Sequence, residues 1–261
     1  MIKNKVLFAG CSFTADSGFT SENQIKFHWP HLLGKHYDFD IDNIAIGGMS
    51  NEEICFRTIE RVTQNPHYDL AIVMWSGLNR KWVYFSDNNV DDFTIINNGI
   101  IVGNMRYHKS VQDYAKLHYG YFNNRYINVK RFLLMIKTLS TMLDAVRIPY
   151  IFINGFEYQF DRLSRIYEND LHTALNDDEK KMIDFSNRPD EYIIAKLRDL
   201  RIIMDSIDRS KFLNHGNYSF YKATVDLADD GEHPGPKSNQ DLTDELIKHI
   251  DDNIMLSREN I

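Results

Sequence analysis

Four short apolar runs, at residues 6–9, 41–46, 70–75 and 150–154, each stop at Gly, Ser or Asn and are separated by longer stretches with helical spacing. A strand that is apolar along nearly its whole length has no face to offer water, so it must be covered on both sides. Alternation with helices carries the chain back each time and makes the strands parallel. The pattern therefore predicts an α/β chain with a central parallel sheet between helical layers.

The helical segments show their ends. Ser50-Asn51-Glu52-Glu53 reads as a capping box, followed by Ile54, Thr58, Ile59 and Val62 at helical intervals. Further helices are expected over about 129–146, stopped ahead of Pro149, over about 191–207, and over about 238–254. In the last of these, Leu242, Leu246, Ile250 and Ile254 share one face. Two stretches break the rhythm: an aromatic and Asn-rich one at about 80–126 and a charged, mixed one at about 156–188. Neither reads as a unit of its own, and no internal repeat is visible, so one domain with two insertions is expected over 1–261.

At 261 residues, 43% hydrophobic and 26% charged, the chain can bury a sizeable core. A formal charge of −7 with no Lys/Arg cluster argues against nucleic acid or an anionic membrane as a partner. Two cysteines, Cys11 and Cys55, cannot form a disulfide framework. With no signal-like or membrane-spanning run read, a soluble cytoplasmic protein is expected. No oligomeric state is read.

Chemistry-bearing residues sit where the expected strands run out. Ser12, in Gly10-Cys11-Ser12-Phe13-Thr14, lies on a turn after the first strand, where a hydroxyl can be pushed toward solvent and needs a base to become a nucleophile. Asp230 and His233 share a loop before the last helix, and the carboxylate there would hold one imidazole tautomer. Gly48 can offer an unobstructed backbone N–H, Asn79 a side-chain amide and Ser12 its own N–H to a developing oxyanion. Each block also has a plain turn or capping reading; their order along the chain favours the chemical one. His28, His31 and His36 read as helix decoration, and no grouping has zinc-type spacing, so neither metal nor other cofactor is expected.

These blocks resemble the SGNH hydrolases, the GDSL-type esterases and lipases. Ser12 matches the nucleophile block, Gly48 the oxyanion glycine five positions after Asn43, Asn79 the Gly-x-Asn block, and Asp230 with His233 the Asp-x-x-His block. The resemblance implies a three-layer α/β/α sandwich with a mostly parallel, flavodoxin-like sheet. It also implies a Ser12–His233–Asp230 triad hydrolysing esters through an acyl-enzyme, often acetyl or short acyl groups on carbohydrates. Two departures stand out: Cys11 replaces the usual Asp before the serine, and Arg80 follows Asn79 where an acidic residue is common. Trp82, Tyr84 and Tyr119, from the aromatic stretch, are candidates to stack on a sugar, or else to pack a lid or a subunit contact. The rival readings are a non-catalytic carbohydrate-binding or structural member and an acyltransferase using the same serine. A nucleotide-binding reading is set aside, since no Gly-Lys-Ser/Thr ending follows the first strand.

Overall fold

The computed structural model describes residues 3–16, 18–19, 25–87, 89–96, 100–102, 109–118, 125–156, 160 and 190–254. Its centre is a four-stranded parallel sheet of β1 (Lys5–Ala9), β2 (Asp40–Asn43), β3 (Leu70–Trp75) and β7 (Tyr150–Asn154), in the order β2-β1-β3-β7. Strands β3 and β7 are buried from end to end, as their unbroken apolar sequences require. Strand β2 forms the edge and is shorter than the expected 41–46. The Asn43 side chain accepts the Ala45 N–H at 3.1 Å, which turns the chain out of the sheet and leaves Ile46 47% exposed.

The chain steps one way from β1 to β2 and back across β1 to reach β3. Right-handed crossovers then place the two connecting helices, α1 (Trp29–Tyr37) and α2 (Asn51–Gln64), on opposite faces. The other helices sort accordingly: α7 (Pro236–Asn253) packs on α1, whereas α4 (Arg125–Ala145) packs on α2 and α5 (Asp190–Asp205) on α4. The result is the expected three-layer α/β/α sandwich with a doubly wound sheet. At the α2 start, Ser50 Oγ accepts the Glu53 N–H at 3.2 Å, the first half of the expected capping box. Beside β7 the place of a fifth strand is taken by residues 212–219. They pair with β7 as isolated bridges at Phe212 and Ser219, with the Asn154 side chain donating to the Gly216 carbonyl at 3.0 Å between them, because Asn214, His215 and Gly216 all have positive φ and loop the chain outward; the four-residue α6 (Phe220–Ala223) follows.

The stretch at 80–126 contains a second sheet. Strands β4 (Lys81–Asp87), β5 (Asn89–Ile96) and β6 (Ile100–Val102) pair antiparallel in that order, and α3 (Lys109–Leu117) follows. Of the second insertion, 157–159 and 161–189 lie outside the described residues. Among the described residues no helix is long and apolar enough to cross a membrane.

Candidate active site

Where a doubly wound sheet reverses its strand order, here between β1 and β3, the loops beyond the strand ends diverge and leave a crevice. The first and third blocks open from those two strands. After β1 the backbone tightens at Gly10, where an added Cβ would come within 2.2 Å of Thr14 Oγ1 and 2.8 Å of Thr14 Cβ. The Cys11 carbonyl then accepts the N–H groups of Thr14 and Ala15, both at 2.9 Å, closing one helical turn. Cys11 is fully buried in the core and Ser12 is 9% exposed at the surface of that turn. A cysteine so enclosed is no rival nucleophile. Asn43 Nδ2 donates to the Thr14 carbonyl at 2.8 Å and ties the second block to the first.

The Asp230–His233 loop is a narrow hairpin closed by the start of α7. Asp226 accepts from the backbone N–H groups of Lys237 (2.9 Å) and Ser238 (2.8 Å), capping that helix, and its carbonyl accepts the Gly235 N–H at 2.9 Å. A side chain at Gly235 would lie 2.6 Å from both Asp226 Oδ2 and the Leu227 carbonyl. Inside the hairpin, Asp230 Oδ1 accepts the N–H groups of Glu232 and His233 at 3.0 Å each, and its Oδ2 lies 2.5 Å from His233 Nδ1. Burial raises the Asp230 pKa, but the His233 and Glu232 backbone donors and the imidazole outweigh it, and the carboxyl is held below its ordinary range. A carboxylate on Nδ1 places the imidazole proton there and turns Nε2 into an acceptor.

What brings this hairpin to Ser12 is a buried cross-brace that sequence reading missed. Asn239 Nδ2 donates to the carbonyls of Pro234 (2.9 Å) and Gly235 (2.8 Å), while its Oδ1 accepts the Trp29 N–H at 3.1 Å. Trp29 Nε1 in turn donates to the Phe13 carbonyl at 2.8 Å. Asn239 is 1% exposed and Trp29 is fully buried. The Phe13 ring meets the His233 ring edge-on at 5.8 Å, and the His233 Cβ lies 2.7 Å from where a Gly18 side chain would begin. The His233 ring thus lies against Phe13, the neighbour of Ser12. Within the described residues no direct Ser12–His233 hydrogen bond is formed.

His28 is not helix decoration. It is 2% exposed, with Nδ1 3.0 Å from Asp16 Oδ1 and Nε2 3.2 Å from the Phe13 carbonyl, so it too holds the serine loop. His31 reaches the same Asp16 oxygen at 3.1 Å, and the two imidazoles keep the Asp16 carboxyl well below its usual range. Only the spacing of His28 beside the Trp29-Pro30 helix start hinted at this; the partner Asp16 lies 12 positions away.

The oxyanion candidates flank the crevice. Gly48 is buried at the third position of the turn 46–49, with φ +86 and the Met49 N–H donating to the Ile46 carbonyl at 3.3 Å, a conformation that suits glycine. Asn79 is exposed at the third position of the turn 77–80, and its Oδ1 accepts from Asn128 Nδ2 at 3.5 Å. The loop end before it is fixed by Asn51, whose Nδ2 donates to the Ser76 carbonyl (3.0 Å) and whose Oδ1 accepts the Ser76 N–H (2.6 Å). Arg80 Nη1 donates to the Met49 carbonyl at 3.2 Å, and its guanidinium lies 4.8 Å over the Phe156 ring. Trp82 and Tyr84 fall on β4, but their side chains, and Tyr119 entirely, lie outside the described residues.

The fold is a doubly wound α/β/α sandwich whose Asp230–His233 hairpin packs against Phe13, in the loop that carries Ser12. Residues 13–198 match the model of a protein family described as "Family of unknown function (DUF6071)", and the chain belongs to that family. No curated protein matches it by sequence. Similar solved structures include the psychrotrophic esterase EstA from Pseudoalteromonas sp., at 12% identity and TM-score 0.47 over 96% of this chain and 98% of that one. A protein of the G-D-S-L family from Desulfitobacterium hafniense is 12% identical, with TM-score 0.43 over 95% and 99%. A family two carbohydrate esterase from Clostridium thermocellum, solved in complex with cellohexaose, is 12% identical, with TM-score 0.46 over 98% and 66%.

Proposed function

We propose that this protein is a serine esterase acting on short acyl esters through a covalent acyl-enzyme. One observation carries the reading: the His233 imidazole, bonded through Nδ1 to an ionised Asp230, is braced against the loop that presents Ser12. In the reaction, His233 Nε2 takes the Ser12 proton as Oγ bonds to the ester carbonyl. The carbonyl oxygen becomes an oxyanion facing the N–H groups of Ser12 and Gly48 and the amide of Asn79. Collapse breaks the bond to the alcohol, which leaves with the proton held by His233. Water then repeats the sequence, giving up a proton to His233 and releasing the acid and the free serine.

A short acyl group suits a serine that is only 9% exposed and stands beside the buried Phe13. Acetyl and short acyl 4-nitrophenyl esters and acetylated sugars form the assay panel. Ser12→Ala is expected to lower kcat by about 10³-fold or more with an unchanged thermal transition. Wild-type protein should be labelled by a fluorophosphonate at Ser12. Equal hydrolysis by the Ser12→Ala protein would sink the reading.

A further inference from the structure

A cleft that shares Asn79 with the proposed site carries cations that the ester chemistry does not use. It is lined by Arg80, Lys81, His118 and Arg131 above an apolar floor that includes Leu78 and Phe132. Lys81 is already neutralised, since its Nζ lies 2.7 and 2.8 Å from the two oxygens of Glu52. His118 is pushed toward its neutral form by burial, with Lys81 and Arg131 adding to the effect. Arg80 and Arg131 remain. No carboxylate among the described residues pairs with either, in a chain whose formal charge is −7.

Arg80 is held ready. One Nη bonds the Met49 carbonyl, beside the proposed oxyanion glycine, and the guanidinium carbon lies 4.8 Å over the Phe156 ring. Phe156 stacks on Phe13 at 4.6 Å, and Phe13 meets His233. The cation therefore stands on the same aromatic layer that supports the base. A guanidinium held over an aromatic ring and by one carbonyl keeps further N–H groups in a fork that matches a carboxylate or phosphate.

We propose that this cleft selects esters bearing an oxyanion group, a carboxylate or phosphate a few bonds from the scissile carbonyl. Arg80 is the specificity-determining residue and Arg131 the supporting charge. The proposal rests on the esterase reading for its chemistry but not for its anion binding.

The test compares charged and neutral partners on each side of the ester. On the acyl side these are 4-nitrophenyl hemisuccinate and 4-nitrophenyl valerate; on the alcohol side, 4-acetoxybenzoate and its methyl ester. At least one anionic member is expected to exceed its neutral partner about tenfold in kcat/KM, mainly through KM. Arg80→Gln should remove most of that gap, Arg80→Lys should retain part of it, and Arg131→Gln should reduce it less. Added NaCl should narrow the gap in the wild type. A neutral ester preferred on both sides, or an Arg80→Gln loss equal for charged and neutral partners, overturns the proposal while leaving the esterase reading intact. If no ester in either pair is hydrolysed, the esterase reading fails and calorimetry with succinate and 4-hydroxybenzoate decides the cleft. Binding that is lost in Arg80→Gln supports it, and no binding to wild type overturns it. Matching circular dichroism and thermal transitions of the variants separate these effects from misfolding.

Discussion

The two sides of the crevice are built in opposite ways. On the Ser12–His233 side, every turn is tied to another by buried polar groups: Asn43 to Thr14, Trp29 and His28 to the Phe13 carbonyl, and Asn239 to both Trp29 and the His233 hairpin. On the Asn79–Arg80 side, the buried Asn51–Ser76 brace stops short of the turn tip, where the Asn128–Asn79 and Arg80–Met49 contacts are 3.5 and 3.2 Å, Asn79 is exposed, and two cations stand without carboxylate partners among the described residues. Proton transfer between side chains tolerates little misplacement, so the first side needs rigidity. Recognition of a charged group profits from an exposed, open-handed cation. The contrast agrees with the proposal that chemistry belongs to the braced side and choice of substrate to the open one.

The comparison breaks most visibly at Asn239. Replacing it with Leu leaves the Trp29 N–H and the Pro234 carbonyl buried without partners and takes one of two donors from the Gly235 carbonyl, which should cost about 2–4 kcal/mol of stability. Chemical denaturation measures that loss, and kcat should fall with it because the hairpin is released from the serine loop. If Asn239→Leu lost stability while kcat held, the brace would be structural only. On the open side, Arg80→Gln should instead leave the denaturation midpoint in place and act on selectivity.

A smaller and more local effect is expected at Gly18. Its φ is +90, and a Cβ there would lie 2.7 Å from the His233 Cβ and 3.2 Å from Asp230 Oδ2. Gly18→Ala should lower kcat about tenfold or more by moving the imidazole, with a destabilisation of about 1 kcal/mol from the left-handed backbone. Equal kcat values for the two proteins would place the productive imidazole away from this loop.

The finest test is the acid side of the pH profile. Asp230 is held below its ordinary range, so this carboxylate's contribution is complete above about pH 4 and is lost only as pH falls through its depressed folded value. Between pH 5 and 8 it stays ionised, so it adds no second proton to the path to attack. The logarithm of kcat/KM should therefore fall with a slope of one on the acid side. A slope of two over that interval would mean that the aspartate gains a proton there as well.

How much of this could be read from the chain alone depends on the range of the interactions. Strands β3 and β7 match the expected runs at both ends because a fully apolar strand bounded by Ser or Gly has one place to go. Helix α7 begins two residues earlier than expected, at Pro236, because Asp226 supplies its cap from across a hairpin. The sheet β4-β5-β6 was visible in principle: Trp82, Val83, Tyr84 and Phe85 are strand formers followed by Asp and Asn, the usual punctuation of a hairpin. Aromatic richness masked that alternation.

The site divides along the same line. Local spacing was enough to nominate Ser12, Gly48, Asn79, Asp230 and His233, since each lies on a turn whose chemistry is written within a few residues. The partners that hold them are not local. Asn239 meets Trp29 across 210 positions, and Arg80 reaches Met49 across 31.

The order of apolar and helical segments by itself determined a parallel sheet covered on both faces, because burial and periodicity are properties of neighbouring residues. Which buried amides and rings clamp the serine to the histidine, and which cations are left facing the crevice, was decided only when the chain folded. Hydrogen bonds and charge pairs depend on distances in space, and separation along the chain carries no record of them.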